Sequence, residues 1–150
     1  KDGSVKVKPM EAEFLDGKLF LINSNCGERI YAEELLRKQN ERFGQNEKSL
    51  HRLRQLCNPL LKAINQGDDK RIVRLINEDW HWKKELHDKM TTPEIDQQIE
   101  KLVKKGSGAK LCGAGQSGYI LEYSPAKNSS GIPVKIDFEG SIIIYNDTSV

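Results

Sequence analysis

Apolar positions along the chain change their period twice. Val5 and Val7 alternate with lysines, Asp16-Gly17 is a turn signal, and Lys18-Leu19-Phe20-Leu21-Ile22 follows as a compact apolar run. This pattern predicts an antiparallel hairpin. After the polar loop Asn23 to Glu28, the segment Ile30 to Phe43 carries Tyr31, Leu35 and Phe43 among charges, and it predicts a first helix that Gly44 closes. From Ser49, the residues Leu50, Leu53, Cys57, Leu60, Leu61 and Ile64 recur at three- and four-residue steps. That stripe predicts a helix stopping near Gly67, which Pro59 is expected to kink or split. Asp68 or Asp69 can cap the next helix, where Ile72, Val73, Ile76 and Trp80 share a face. Thr92 as N-cap and Pro93 at the first helical position open a further helix, with Ile95, Ile99, Leu102 and Val103 as its buried stripe and Gly106 at its end. Beyond it the runs Tyr119-Ile120-Leu121, Val134/Ile136/Phe138 and Ile142 to Tyr145 return to strand period, with a turn at Glu139-Gly140. Strands enclosing a helical middle predict an α+β sandwich: helices on one face of a mainly antiparallel sheet.

Length and composition narrow the class. At 150 residues the chain matches one domain, with no internal repeat and no linker to divide it. With 37% hydrophobic and 31% charged residues it reads as folded rather than disordered. No segment approaches the roughly 20 apolar residues of a membrane span, and the start Lys1-Asp2-Gly3 has no signal core, so a cytoplasmic location and no membrane contact are expected. The 24 basic and 22 acidic residues are interleaved, which gives no strong field to attract nucleic acid. Cys26, Cys57 and Cys112 lack CxxC spacing and a paired histidine motif, so reduced thiols and no zinc site are expected.

The most unusual local composition is Gly106 to Gly118, with five glycines in thirteen residues before an apolar strand. Glycine is costly to order, so this density points to positive φ angles or a close backbone approach, and a run of bare amides can form an anion-binding nest. A plain turn between helix and strand is the structural alternative. The segment matches neither a Walker loop nor the dinucleotide fingerprint. Gly108-Ala109-Lys110-Leu111-Cys112-Gly113-Ala114-Gly115-Gln116-Ser117-Gly118-Tyr119 does resemble the third motif of the GHMP kinases, and most closely that of their heptose kinase branch. Three further pieces agree in order: Trp80-His81-Trp82-Lys83-Lys84-Glu85-Leu86, Thr92-Pro93-Glu94-Ile95-Asp96 and Phe138-Glu139-Gly140-Ser141. The resemblance runs from Glu11 to Tyr145. A looser likeness at Asn23 to Arg29 makes Arg29 a candidate on the substrate side.

The resemblance implies a ferredoxin-like carboxy-terminal domain covering one side of an active-site cleft. An amino-terminal domain, expected to lie outside this chain, would supply the phosphate loop and hold ATP and Mg²⁺. On this reading no catalytic residue or metal ligand belongs to this piece, and it is inactive alone. The complete enzyme is then a sugar or sugar phosphate kinase, resembling heptose phosphate kinases and galactokinase. Lys110, Gly113, Ala114, Gly115, Gln116, Ser117 and Gly118 are the residues the resemblance carries to the substrate and the phosphate loop. Gln116, Ser117 and Ala109 stand where the branch has glycines. The expected partners are the small-molecule sugar and the amino-terminal kinase domain, with a homodimer left open.

Other candidates have ordinary explanations. His51, His81 and His87 lie on helix-like segments without ligand spacing, Asp96 and Glu100 form a solvated i, i+4 pair, and Trp80 and Trp82 are expected to divide between core and surface. The basic stretches at Lys83-Lys84 and Lys101 to Lys110 suit solvated faces. A non-catalytic module that keeps the glycine loop for a metabolite or a protein is the rival reading, which the departures at Gln116 and Ser117 favour. A nucleic-acid-binding α+β domain is the other, disfavoured by the charge balance.

Overall fold

The structure, a computed structural model, describes residues 12–26, 43–113 and 115–138, with the isolated positions 33, 37, 40 and 41. A 3₁₀ turn at Glu13–Leu15 leads into strand β1, Leu19–Asn23. Helices α1 (Phe43–Asn65), α2 (Asp69–Lys84) and α3 (Pro93–Lys104) follow, then strands β2 (Gly108–Leu111), β3 (Tyr119–Tyr123) and β4 (Ile132–Pro133). The expected strand at Val5/Val7 and the run Ile142 to Tyr145 lie outside the described residues, as do Arg29 and the Glu139-Gly140 turn. Ahead of the Asp16-Gly17 turn the chain forms the 3₁₀ turn, so that signal joins a helical turn to β1 rather than two strands.

Two expected breaks are bridged. The helix expected over Ile30 to Phe43 falls mostly outside the described residues, but Gly44 lies inside α1 and Pro59 does not divide it. One interior glycine costs only about 1 kcal/mol. Leu56, Leu60 and Ile64 of α1 pack against Ile72, Leu75 and Ile76 of α2, and this burial outweighs the hydrogen bond that proline removes. The caps fall where expected. The Asp68 carboxylate accepts from the Arg71 N–H at 3.0 Å, Thr92 Oγ1 accepts from the Ile95 N–H at 3.4 Å, and Pro93 opens α3. Thr92 also holds the carboxyl of exposed Glu94 below its usual range. Ile95 and Ile99 are buried, while Val103, expected inside, is exposed at the end of the stripe.

The four strands form an antiparallel sheet in the order β2-β3-β1-β4, which read from the other edge is the 4-1-3-2 order of ferredoxin-like domains. The link from β3 to β4 is a loop, residues 124–131. Strand period sorts the core into two clusters. Leu111, Ile120 and Ile22 pair across the sheet and pack with Trp80, Met90, Ile95 and Ile99; the offset row Leu19 and Tyr123 packs with Ala63, Ile72 and Leu75. Helix α2 serves both clusters.

β2 is an edge strand, and α2 covers its open side. Asn77 Oδ1 accepts from the Ala109 N–H at 2.9 Å and Asn77 Nδ2 donates to the Ser107 carbonyl at 3.4 Å, while Lys83 Nζ donates to the Leu111 carbonyl at 3.0 Å. Such an approach requires Gly108: a Cβ there would lie 3.1 Å from the Val73 Cα.

Candidate functional site

Cys112 N–H donates to the Tyr119 carbonyl at 2.8 Å and so closes the β2–β3 ladder. Beyond it the backbone leaves ordinary conformations, with φ of +76° at Gly113, +125° at Gly115, +59° at Gln116 and +114° at Gly118. Positive φ costs little at glycine, so the glycine density here has a conformational cause. Gln116 is the exception, and its N–H is held at 3.1 Å by the Met90 carbonyl.

Three contacts clamp the loop from different elements. Lys83 Nζ, at the end of α2, donates to the Gly113 carbonyl at 2.8 Å. Met90, between α2 and α3, holds Gln116 and lies so close to Gly115 that a Cβ would meet its carbonyl at 3.0 Å. Ser24, just past β1, donates its N–H to the Gly118 carbonyl at 2.9 Å, and Gln98 Nε2 in turn donates to the Ser24 carbonyl at 2.8 Å. Gly115 is buried, whereas Gly113 and Gly118 are exposed and, among the described residues, nothing lies on the side a Cβ would occupy. The loop is therefore fixed from beneath and bare above.

The expected site residues divide on this geometry. Gly113, Gly115, Gln116, Ser117 and Gly118 come together in the loop, and Ala114 lies outside the described residues. Lys110 stands apart in β2 and pairs with Asp79 of α2. An anion nest of all the loop amides is not available either, since Gln116 N–H donates to Met90 and Ser117 N–H to the Gly115 carbonyl at 2.8 Å.

Lys83, expected on a solvated face, instead turns inward, and its ammonium is held by the Leu111 and Gly113 carbonyls beside the loop. Burial, then the positive charge of Lys110, depresses its pKa, with Asp79 and Cys112 opposing in part. The signal was the spacing of Asp79 and Lys83, which puts both on one face of α2. Met90 acts through its backbone and left no sequence signal. Trp80 is buried and Trp82 partly exposed beside Lys48 and Arg52, the division expected. His87 departs from expectation: it is buried in the turn after α2, where Nδ1 accepts from the Lys89 N–H at 2.8 Å. All three cysteines are free. Among the described residues no group of three or more His, Cys, Asp or Glu could hold a metal ion, and no helix is long and apolar enough to cross a membrane.

Residues 60–127 match the family model for the GHMP kinases C terminal. None of the curated proteins matches the chain. Among solved structures the fold is similar to that of L. major mevalonate kinase in complex with R-mevalonate, with a TM-score of 0.61 and 18% identity over 71% of this chain and 33% of that one. It is also similar to Streptococcus pneumoniae phosphomevalonate kinase in complex with phosphomevalonate and AMPPNP, with a TM-score of 0.60 and 18% identity over 71% and 31%. The chain thus shares its fold with these two kinases and spans about a third of their length.

Proposed function

We propose that the chain is the C-terminal part of an ATP-dependent small-molecule kinase, and that its glycine loop closes the active-site cleft against an amino-terminal domain. The observation that carries this reading is the clamped loop with bare Gly113 and Gly118, set within the segment that matches the family. Phosphoryl transfer needs positioning and charge neutralisation more than covalent chemistry, and a loop fixed at three points supplies positioning. ATP and Mg²⁺ would be held mainly by the other domain.

A sugar or sugar phosphate is the acceptor we assign, on the resemblance of the loop and the Trp80 to Leu86 segment to heptose kinases. The two solved kinases similar in fold contain mevalonate and phosphomevalonate, which makes those the second acceptor class. The test joins the chain to the amino-terminal half encoded with it and measures ATP-dependent phosphorylation of heptose phosphate, galactose, mevalonate and phosphomevalonate. Turnover with a sugar by the joined protein, and none by the chain alone, is expected. Preference for mevalonate would replace the sugar assignment. A folded joined protein inactive on every acceptor would leave the loop as a non-catalytic binding module.

A further inference from the structure

At the opposite end of the β2–β3 hairpin from the glycine loop, a cavity of about 380 Å³ opens beside Lys105, Ser107, Glu122, Ser124, Asn128 and Ser129. Glu122 is 2% exposed. A carboxylate is almost never buried to this degree without a cationic partner, because removing a charge from water is costly. The ion pairs of the described residues do not include Glu122.

Its partners are hydroxyls instead. Ser107 Oγ donates to Oε1 at 2.6 Å and Ser129 Oγ donates to Oε2. Ser124 Oγ donates to the Asn128 carbonyl at 3.1 Å. Each of these three hydroxyls spends its single proton inside the cluster, so what it turns to a ligand is lone pairs. Gly131 N–H donates to Ser129 Oγ at 3.0 Å, which orients that hydroxyl toward the carboxylate. The inner wall thus presents one carboxylate and hydroxyl oxygens as acceptors, with the Lys105 ammonium at the rim.

From this wall we propose a binding site for a small primary ammonium ligand, distinct from the glycine loop. An ammonium brings three donors and one positive charge, matching Glu122 with the oxygens of Ser107 and Ser129. The cavity exceeds the size of an ion, so an organic amine fits better than a bare metal cation, for which one carboxylate gives too little charge. Lys105 is exposed at the rim and is the chain's own competitor for the position.

Titrating the full chain with ethanolammonium chloride at constant ionic strength, and following the amide resonances of Ser107, Glu122, Ser129 and Gly131, tests the site. Saturable shifts in the millimolar range are expected with ethanolammonium and not with tetramethylammonium, which has charge but no N–H. Glu122→Gln removes the charge at constant shape and should weaken binding at least about tenfold. If that variant fails to fold, Ser129→Ala should weaken it several-fold through the lost acceptor. Absence of saturation, equal shifts with tetramethylammonium, or unchanged affinity in the variants would overturn the proposal. Binding that appears only in Lys105→Met would overturn it too, by showing that the chain fills the site itself.

Discussion

Gly115 holds φ at +125° and the Met90 backbone lies where a Cβ would go, so two independent demands meet at one residue. A side chain there strains the backbone by about 1–3 kcal/mol and also pushes on a carbonyl that anchors Gln116. Gly118, at +114° but facing open space, carries only the first demand. Gly115→Ala should therefore lower the thermal midpoint more than Gly118→Ala. In the joined two-domain protein, Gly115→Ala should also cut kcat/KM by about 100-fold per folded molecule, since displacement near 1 Å at the reacting groups costs that much. Activity that merely tracks the folded fraction would reduce the loop to a structural turn. The glycines advertised their backbone in the sequence; Gln116 could not, because its left-handed conformation is imposed by Met90. Lys110 was equally opaque, since only the pairing with β3 and the position of α2 reveal Asp79 as its partner.

Helix α2 ties the sheet to the loop. Its N-terminal end carries Asp68 and Asp69 and its last turn Lys83 and Lys84, charges that complement the helix dipole. Between them Asn77 completes the β2 edge. The Ala109 N–H that it satisfies belongs to a fully buried residue, so Asn77→Ala leaves a buried donor unmet and should cost about 1–3 kcal/mol by chemical denaturation. Asn77→Asp keeps the acceptor for Ala109 but brings a charge and sets an oxygen against the Ser107 carbonyl, so it should recover part of the loss, and more of it at a pH where the new carboxyl is protonated and can donate. Equal losses would show that Asn77 matters for packing rather than for the edge. Caps and stripes made α2 and α3 legible because those signals are local. The end of the first helix was not legible at Gly44, because a propensity worth about 1 kcal/mol yields to the burial of α1 on α2.

Across the whole molecule, the α+β class could be read from the change of period, whereas strand order followed only from the resemblance to a ferredoxin-like domain: β1 pairs with β3 across the entire helical middle, and no local pattern encodes that choice. The same long-range closure gathers a polar cluster that no motif announces. Asp69 accepts from Lys18 Nζ at 2.9 Å and from the Tyr123 hydroxyl, joining α2 to β1 and β3 at the end remote from the glycine loop. Burial is the largest single influence on the Asp69 carboxyl and raises its pKa, but the bonds from Tyr123 and Lys18, with the charge of Lys18, outweigh it and leave the carboxyl below its usual range. Burial and Asp69 together push the Tyr123 phenol well above its own. A carboxyl depressed in the folded state binds fewer protons folded than unfolded. Its stabilisation is thus fully present above the ordinary value of 3.8 and is lost as pH falls through the lower folded value. The phenol has the opposite sign: the folded state keeps its proton while the unfolded chain ionises, so stability falls as pH rises past 10.0. Tyr123→Phe should cost toward the lower end of about 1.5–3 kcal/mol at neutral pH, because the Asp69 side chain is 35% exposed and partly screened. Measured midpoints across pH should show a shallower acid slope in Asp69→Asn and a shallower alkaline slope in Tyr123→Phe. Parallel pH profiles for wild type and both variants would mean that the cluster does not couple protonation to folding.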